Sequence, residues 1–276
     1  MVSRILTIVQ QELRIGIRNR WILLATLILA FFSLALALLG SAPAGTLGVD
    51  RLTITVASLA SLSVYLVPLI ALLLAFDAVC GEIERGTLLM TFSCPISRTE
   101  FLLGKTIGHM LVLTIALVAG YGLTAAVLLT MGTGSLAGLV DFARLIATSV
   151  LLGVCFLAIG YVLSSLTRQL GTAAAAAIAA WLLFVVLYDL ALLGALVANP
   201  SGFFASQVFP YAILLNPADA FRLFNLAALG ASDLVGGMSG VSETLPFDPA
   251  LALISLLAFA AFVLTASAIL IRRIKP

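Results

Sequence analysis

Long uninterrupted apolar runs, separated by short charged segments, dominate this chain. Six of them reach the roughly 20 residues that a helix needs to cross a bilayer core about 30 Å thick. They cover residues 22–40, 53–79, 106–131, 142–166, 172–198 and 250–271. Residues 1–20 are too polar to span. Ile5, Ile8, Val9, Leu13, Gly16 and Ile17 recur there at helical spacing, while Arg4, Gln11, Arg14 and Arg18 fall elsewhere. That spacing predicts an amphipathic helix lying along the membrane surface and feeding into the first span. The run 22–40 has the length of a true span and lacks the short core of a cleavable signal, so the sequence predicts that it is retained.

Two connections are long. Residues 80–104 are the most charged stretch of the chain. Residues 199–249 carry two apolar clusters, Phe203, Phe204, Phe209, Tyr211, Ile213, Leu214 and Leu215, then Phe221, Leu223, Phe224, Leu226 and Leu229. Between them stands Asn216-Pro217-Ala218-Asp219, where Asn216 or Asp219 is placed to cap a helix. This pattern predicts short re-entrant helices packed on the spans before the last one. The tail 231–249 is rich in Gly, Ser and Pro and reads as an exposed loop. The expected fold is therefore an all-α integral membrane protein with six transmembrane helices, forming one transmembrane domain over 1–276.

Composition agrees. Of 276 residues, 63% are hydrophobic and 9% charged, with a mean hydropathy of +1.24. A water-soluble domain carries roughly 25% charged residues, and a disordered chain has far less apolar content. Basic and acidic residues number 14 and 12, so no basic face for nucleic acid is indicated. The basic residues are unevenly placed, however. With both termini cytoplasmic, that side holds Arg4, Arg14, Arg18, Arg20, Arg85, Arg98, Lys105, Arg168, Arg272, Arg273 and Lys275. The other side holds Arg51, Arg144 and Arg222. Eleven of the 14 on one side satisfies the positive-inside rule. The expectation is a multi-pass protein of a bacterial inner membrane with cytoplasmic termini.

Signatures of chemistry are few. Cys80, Cys94 and Cys155 with the single His109 form no Cys/His cluster, and Met1, Met90, Met110, Met131 and Met238 are scattered. No resident metal relay is expected, and the two thiols flanking the charged loop read as unpaired. Neither HExxH nor GxSxG occurs. Gly104-Lys105-Thr106 imitates the end of a phosphate-binding loop, but Thr99 stands where the motif needs its first glycine. No catalytic residue and no bound cofactor are expected in this chain.

The informative stretch is Gly81-Glu82-Ile83-Glu84-Arg85-Gly86-Thr87-Leu88, then Cys94-Pro95-Ile96-Ser97-Arg98 and Leu103-Gly104-Lys105. Glu82, Glu84 and Arg85 put charge at the end of the second span, and Gly86 interrupts the chain there. Ser97 with Glu100 three residues on predicts a capping box leading into the third span. The result is either a short helix lying across the cytoplasmic face with ionic handles at one end, or a plain solvated loop.

This run resembles the cytoplasmic signature of ABC-2 type permeases, and the resemblance extends over the whole chain. The blocks at 18–21, 57–62, 68–77 and 214–226 are similar to the branch of that family serving copper-site maturation of nitrous oxide reductase. The resemblance implies a non-catalytic permease that couples ATP hydrolysis in a separate subunit to export, or to conformational work on a periplasmic partner. Its implied partners are two copies of a cytoplasmic ATPase, which hold ATP and Mg, a periplasmic accessory protein, a second copy of this chain, and the lipid bilayer. Glu82, Glu84, Arg85, Gly86, Thr87, Pro95, Ser97 and Arg98 fall on the implied ATPase-coupling region. Other cargoes (lipid or drug) and a stand-alone secondary transporter are the alternatives. The latter would show repeated halves and several midplane charges, which this sequence lacks.

Some residues within the spans stand apart. Carboxylates inside a bilayer cost roughly 3 kcal/mol on insertion scales, which makes Asp77 and Asp189 candidates for gating, a cavity or a partner contact unless they reach an interface. Ser58 and Ser61 share a face and either line a polar cavity or bond to nearby carbonyls. His109 is expected to hydrogen-bond a neighbouring helix, and Gly104 with Gly108 predicts close helix packing. Phe203, Phe204, Phe209 and Tyr211 are the expected docking surface for a periplasmic partner, or else an interfacial belt.

Overall fold

The computed structural model describes residues 2–39, 51–132, 136–199, 202–229 and 246–273. The protein is an all-α membrane protein, with no strand among the described residues. Helix α1 (Val2–Arg18) breaks at Asn19, whose side-chain oxygen accepts from the Trp21 N–H at 2.9 Å and starts α2 (Arg20–Leu39). Helix α3 (Arg51–Ala75) leads into two short helices, α4 (Cys80–Glu84) and α5 (Thr87–Ser93). Gly86 joins them at φ 71°, a left-handed turn that a side chain would disfavour. Helix α6 (Arg98–Thr130) opens on the capping box that the sequence predicts, Ser97 accepting from the Glu100 N–H and Glu100 from the Ser97 N–H.

Helix α7 (Leu136–Leu166) follows. The next span is composite, with α8 (Leu170–Leu182), a π-helical segment Leu183–Leu187, and α9 (Tyr188–Ala198). A second π-helical turn, Phe204–Val208, precedes the short helices α10 (Phe209–Leu215) and α11 (Pro217–Ala228), and α12 (Ala250–Arg273) ends the fold. Of the tail expected as an exposed loop, residues 231–245 lie outside the described residues.

Among the described residues, six helical stretches are long and apolar enough to cross a membrane: Arg20–Leu39, Thr55–Glu84, Arg98–Thr130, Ala137–Leu166, Leu170–Ala198 and Ala250–Arg273. At 1.5 Å per residue the 33 residues of α6 extend about 50 Å, well beyond a bilayer core. The excess, Arg98–Lys105, carries the charged end of the bundle. Helices α3 and α7 are the buried centre, while α2 and the α8–α9 span are largely exposed. Bilayer tails are as apolar as leucine, so the spans are tied by packing and by polar pairs between helices. Ser63 meets the Tyr121 hydroxyl at 2.6 Å and Ser33 meets Thr124 at 2.7 Å. Thr148 donates to Asn225 at 3.1 Å, and Ser267 to the Ala158 carbonyl at 3.1 Å.

Helix α1 does more than rest on a surface. Gly104 and Gly108 of α6 form the groove that receives it. A Cβ on Gly104 would stand 2.7 Å from Ile8, and one on Gly108 2.6 Å from Glu12. The close packing expected of this glycine pair is thus with the amphipathic helix, not with another span.

Helix α11 is wedged among α12, α3 and α7, with Phe221, Leu223 and Leu226 buried. Asn216 caps it by accepting from the Ala218 N–H at 3.1 Å. Asp219, the other capping candidate, lies inside its first turn.

Candidate functional site

The charged connection between α3 and α6 is bonded to helices all around it. Ser164 of α7 accepts from the N–H groups of Val79 and Cys80 at 3.0 and 2.9 Å and so caps α4 from outside. Glu84 accepts from the Leu170 N–H at 2.6 Å, where its charge meets the positive end of α8. Arg98 donates to the carbonyls of Ile271 and Arg272 at 3.0 and 3.3 Å, the last turn of α12, and lies over the Phe92 ring. Arg4 of α1 donates to the Pro95 carbonyl. Arg85 reaches Asp77 only at 4.0 Å, with both side chains about half exposed.

Glu82 turns inward. Its carboxylate lies 2.7 Å from the Lys105 ammonium, which also binds Glu12 of α1 at 2.6 Å. The other Glu12 oxygen lies 3.1 Å from His109 Nε2, and His109 Nδ1 lies 2.9 Å from the Tyr161 hydroxyl on α7. A carboxylate only accepts, so Nε2 carries the hydrogen toward Glu12. Lys105, Glu12 and His109 are each less than a tenth exposed. One continuous chain of charged and polar groups therefore runs from α4 through α6 and α1 to α7.

Glu12 and Tyr161 are the members that the sequence reading did not single out. Glu12 falls at i+4 from Ile8, in the middle of the apolar stripe of α1, and a charge on such a stripe signals a buried partner. Burial by itself raises the Glu12 pKa. The His109 hydrogen bond and the charges of Lys105 and His109 outweigh it and hold the carboxyl at about 2, below its ordinary 4.5. A carboxyl lowered by folding stabilises the fold above the unfolded value and loses that contribution as pH falls through the folded one. Acid titration of the purified protein is therefore expected to remove up to about 3 kcal/mol between pH 4.5 and 2. Glu12→Gln should flatten that part of the stability-versus-pH curve.

A second ionic cluster occupies the opposite end of the bundle. Arg222 of α11 binds Asp189 of α9 at 2.9 Å and lies 3.8 Å from Asp219. Asn216 donates to Asp219 at 2.8 Å and to the Phe184 carbonyl at 2.7 Å, inside the π-helical segment. Tyr188 donates to the Ala212 carbonyl at 2.7 Å. A π-helical segment disturbs the i→i−4 ladder, and here α10 and α11 dock against it.

The remaining candidates separate. Ser61 bonds to the Ala57 carbonyl at 3.3 Å, and Ser58 is half-buried beside it. Phe203 and Tyr211 are exposed, with Tyr211 beside Phe247. Phe209 is buried with Phe204 against its ring, so these two support that surface from below. Thr87, Pro95 and Ser97 are exposed on the loop, as are Leu89 and Met90. Cys80 is buried and Cys94 exposed, and both are free thiols.

Residues 6–273 match the family described as ABC-2 family transporter protein. The chain is 40% identical over 260 residues to the probable ABC transporter permease protein NosY of Stutzerimonas stutzeri, covering 94% of each chain. It is 43% identical over 242 residues to the protein of the same name in Pseudomonas aeruginosa, covering 87% of each.

Proposed function

This chain belongs to the ABC-2 family of transporter proteins, as a multi-pass permease subunit of an ABC transporter, and we propose that its charged loop receives the stroke of a separate ATPase. The observation carrying this reading is the wiring of that loop. Glu82 holds α6 and, through Lys105, α1, Glu84 holds the start of α8, Ser164 of α7 holds α4, and Arg98 holds the end of α12. A force applied at α4–α5 reaches five further helices through these bonds. Outward, the same loop presents Arg85, Thr87, Leu89, Met90, Pro95 and Ser97. A short helix with an exposed apolar crest and a glycine hinge suits a groove on a soluble partner.

In this reading both termini are cytoplasmic, two copies of the chain face each other, and each sits on one copy of the ATPase, which holds ATP and Mg. The largely exposed faces of α2 and the α8–α9 span are available to lipid and to the second copy. At the periplasmic end Phe203 and Tyr211 meet an accessory protein. The resemblance of the blocks at 18–21, 57–62, 68–77 and 214–226 supports a role for the assembly in copper-site maturation of nitrous oxide reductase. Its output is then export of a cargo, or movement imposed on the periplasmic partner.

The test is co-expression with the ATPase and periplasmic protein encoded beside this chain, followed by purification in mild detergent. A complex with ATP turnover is expected, and Glu82→Ala/Glu84→Ala should lower that turnover about tenfold by freeing α4 from α6 and α8. A chain that never retains an ATPase, under any nucleotide condition, would overturn the reading.

A further inference from the structure

A cavity of ≈ 720 Å³ opens where α1, α2, the end of α3, the α4–α5 loop and α6 meet. Its size falls within the range of small-molecule sites, roughly 300–1,000 Å³. The two ends of this cavity differ in chemistry. One wall is built from membrane-spanning helices, with Trp21, Ile22 and Ala25 facing Ile70, Leu73 and Leu74. Trp21 and Leu73 are among the exposed apolar side chains, so this wall is open sideways between α2 and α3. A tryptophan there marks the depth of the headgroup layer.

The other end is ionic. Asp77, Glu82 and Glu12 bring three carboxylates against two cations, Lys105 and Arg85, with His109 beside Glu12. Lys105 is already shared between Glu12 and Glu82. The second oxygen of Glu82 is buried and has no hydrogen-bond donor among the described residues. The Asp77 carboxylate is accessible, and its contact with Arg85 is long. A ligand fitting this end carries a cationic hydrogen-bond donor for the carboxylates and an anionic group for Arg85, and it carries a hydrocarbon tail for the wall.

We propose that this cavity binds a phospholipid with a primary ammonium headgroup, of the phosphatidylethanolamine type. The ammonium goes to Asp77 and Glu82, the phosphate to Arg85, and one acyl chain lies between α2 and α3. A quaternary headgroup has no N–H to offer the carboxylates. A headgroup without an amine adds the phosphate's negative charge beside the three carboxylates with no cation of its own to offset it. Because the cavity is walled by α1 and by the α4–α5 loop, the bound lipid bridges the two elements that the Glu12–Lys105–Glu82 chain also joins.

The test is native mass spectrometry of the full chain purified in mild detergent and offered phosphatidylethanolamine, phosphatidylcholine or phosphatidylglycerol with identical acyl chains. Phosphatidylethanolamine adducts are expected to exceed the other two by about tenfold, the worth of one hydrogen bond to a charged group. Asp77→Asn and Glu82→Gln should each shrink that preference severalfold. Ala25→Trp, which fills the apolar wall, should abolish the adduct. Asp77 is accessible and in no buried pair, so Asp77→Asn remains informative if Glu82→Gln does not fold. Soluble phosphoethanolamine at the lipid's concentration should not displace the adduct, and displacement would assign the site to a free amine and overturn the lipid. Equal retention of the three lipids, or a preference unchanged in both Asp77→Asn and Ala25→Trp, would also overturn it.

Discussion

Lys105→Met is expected to destabilise the protein by about 3–5 kcal/mol, the cost of breaking a buried ion pair from one side. Lys105 contacts two carboxylates at once, Glu12 at 2.6 Å and Glu82 at 2.7 Å, and its own side chain is buried. Methionine fills the volume of the aliphatic stem but leaves both carboxylates in place without the ammonium. Removing a charge of each sign by the double change Glu12→Gln/Lys105→Met should recover a large part of the loss, because Glu82 can then turn toward solvent. Unfolding of the four proteins of the cycle, followed by circular dichroism in one detergent, measures this directly. A single variant within about 0.5 kcal/mol of wild type would mean that the chain of charges contributes nothing net, as happens for many exposed pairs. In the assembled complex the same variant should also lower ATP turnover, and more so than a change of equal destabilisation placed on α12.

The sequence disclosed the spans because nothing else explains runs of 20 apolar residues in a charge-poor chain, and it disclosed the Ser97–Glu100 capping box because both partners lie within one turn. Gly86 as a break and Asn216 as a cap are equally local. What escaped is long-range. Glu82 meets Lys105, which in turn meets Glu12, and no periodicity links positions 12, 82 and 105. The charged loop read as a set of handles facing outward, whereas Glu82 faces inward and Glu84 and Arg98 are engaged with helix ends. Glu12 was legible in part, since it interrupts the apolar stripe of α1, but its partner was not. The glycine pair at 104 and 108 announced a close approach without saying which helix would make it. The π-helical segments have no propensity signature at all, for Leu183–Leu187 is as apolar and as helix-compatible as its neighbours.

Asp189 shows the same limit at the far end, and the charge arithmetic there sets the second large effect. Two carboxylates, Asp189 and Asp219, lie within hydrogen-bonding reach of each other and share Arg222. Asp219 is almost completely buried, at 1% side-chain exposure, so it cannot turn to water if the cation is lost. Burial and the neighbouring Asp189 carboxylate raise the Asp219 pKa to about 8, so the pair carries one negative charge at neutral pH, and Arg222→Met is expected to cost about 3 kcal/mol or more by leaving that charge without its cation. Asp219→Asn has the opposite arithmetic. It leaves one carboxylate for one guanidinium, and the new amide can still accept from Asn216, so its cost should stay below about 1 kcal/mol. A severe Arg222→Met beside a mild Asp219→Asn would identify an ionic clasp between α11 and α9. Equal costs would instead mean that packing of α11 on α12 and α3 holds this end together. Hydrogen exchange separates the cases further. The clasp predicts that Arg222→Met speeds exchange at 209–228 while α3 and α7 stay protected. This follows because α10 and α11 meet the α8–α9 span through Arg222, Asn216 and Tyr188, and the bond to the Phe184 carbonyl falls where the helical ladder is already irregular. Loosening one of those three bonds leaves the other two attached at or beside the π-helical turn of that span. The motion should therefore spread along α10 and α11 and not into the core of the bundle.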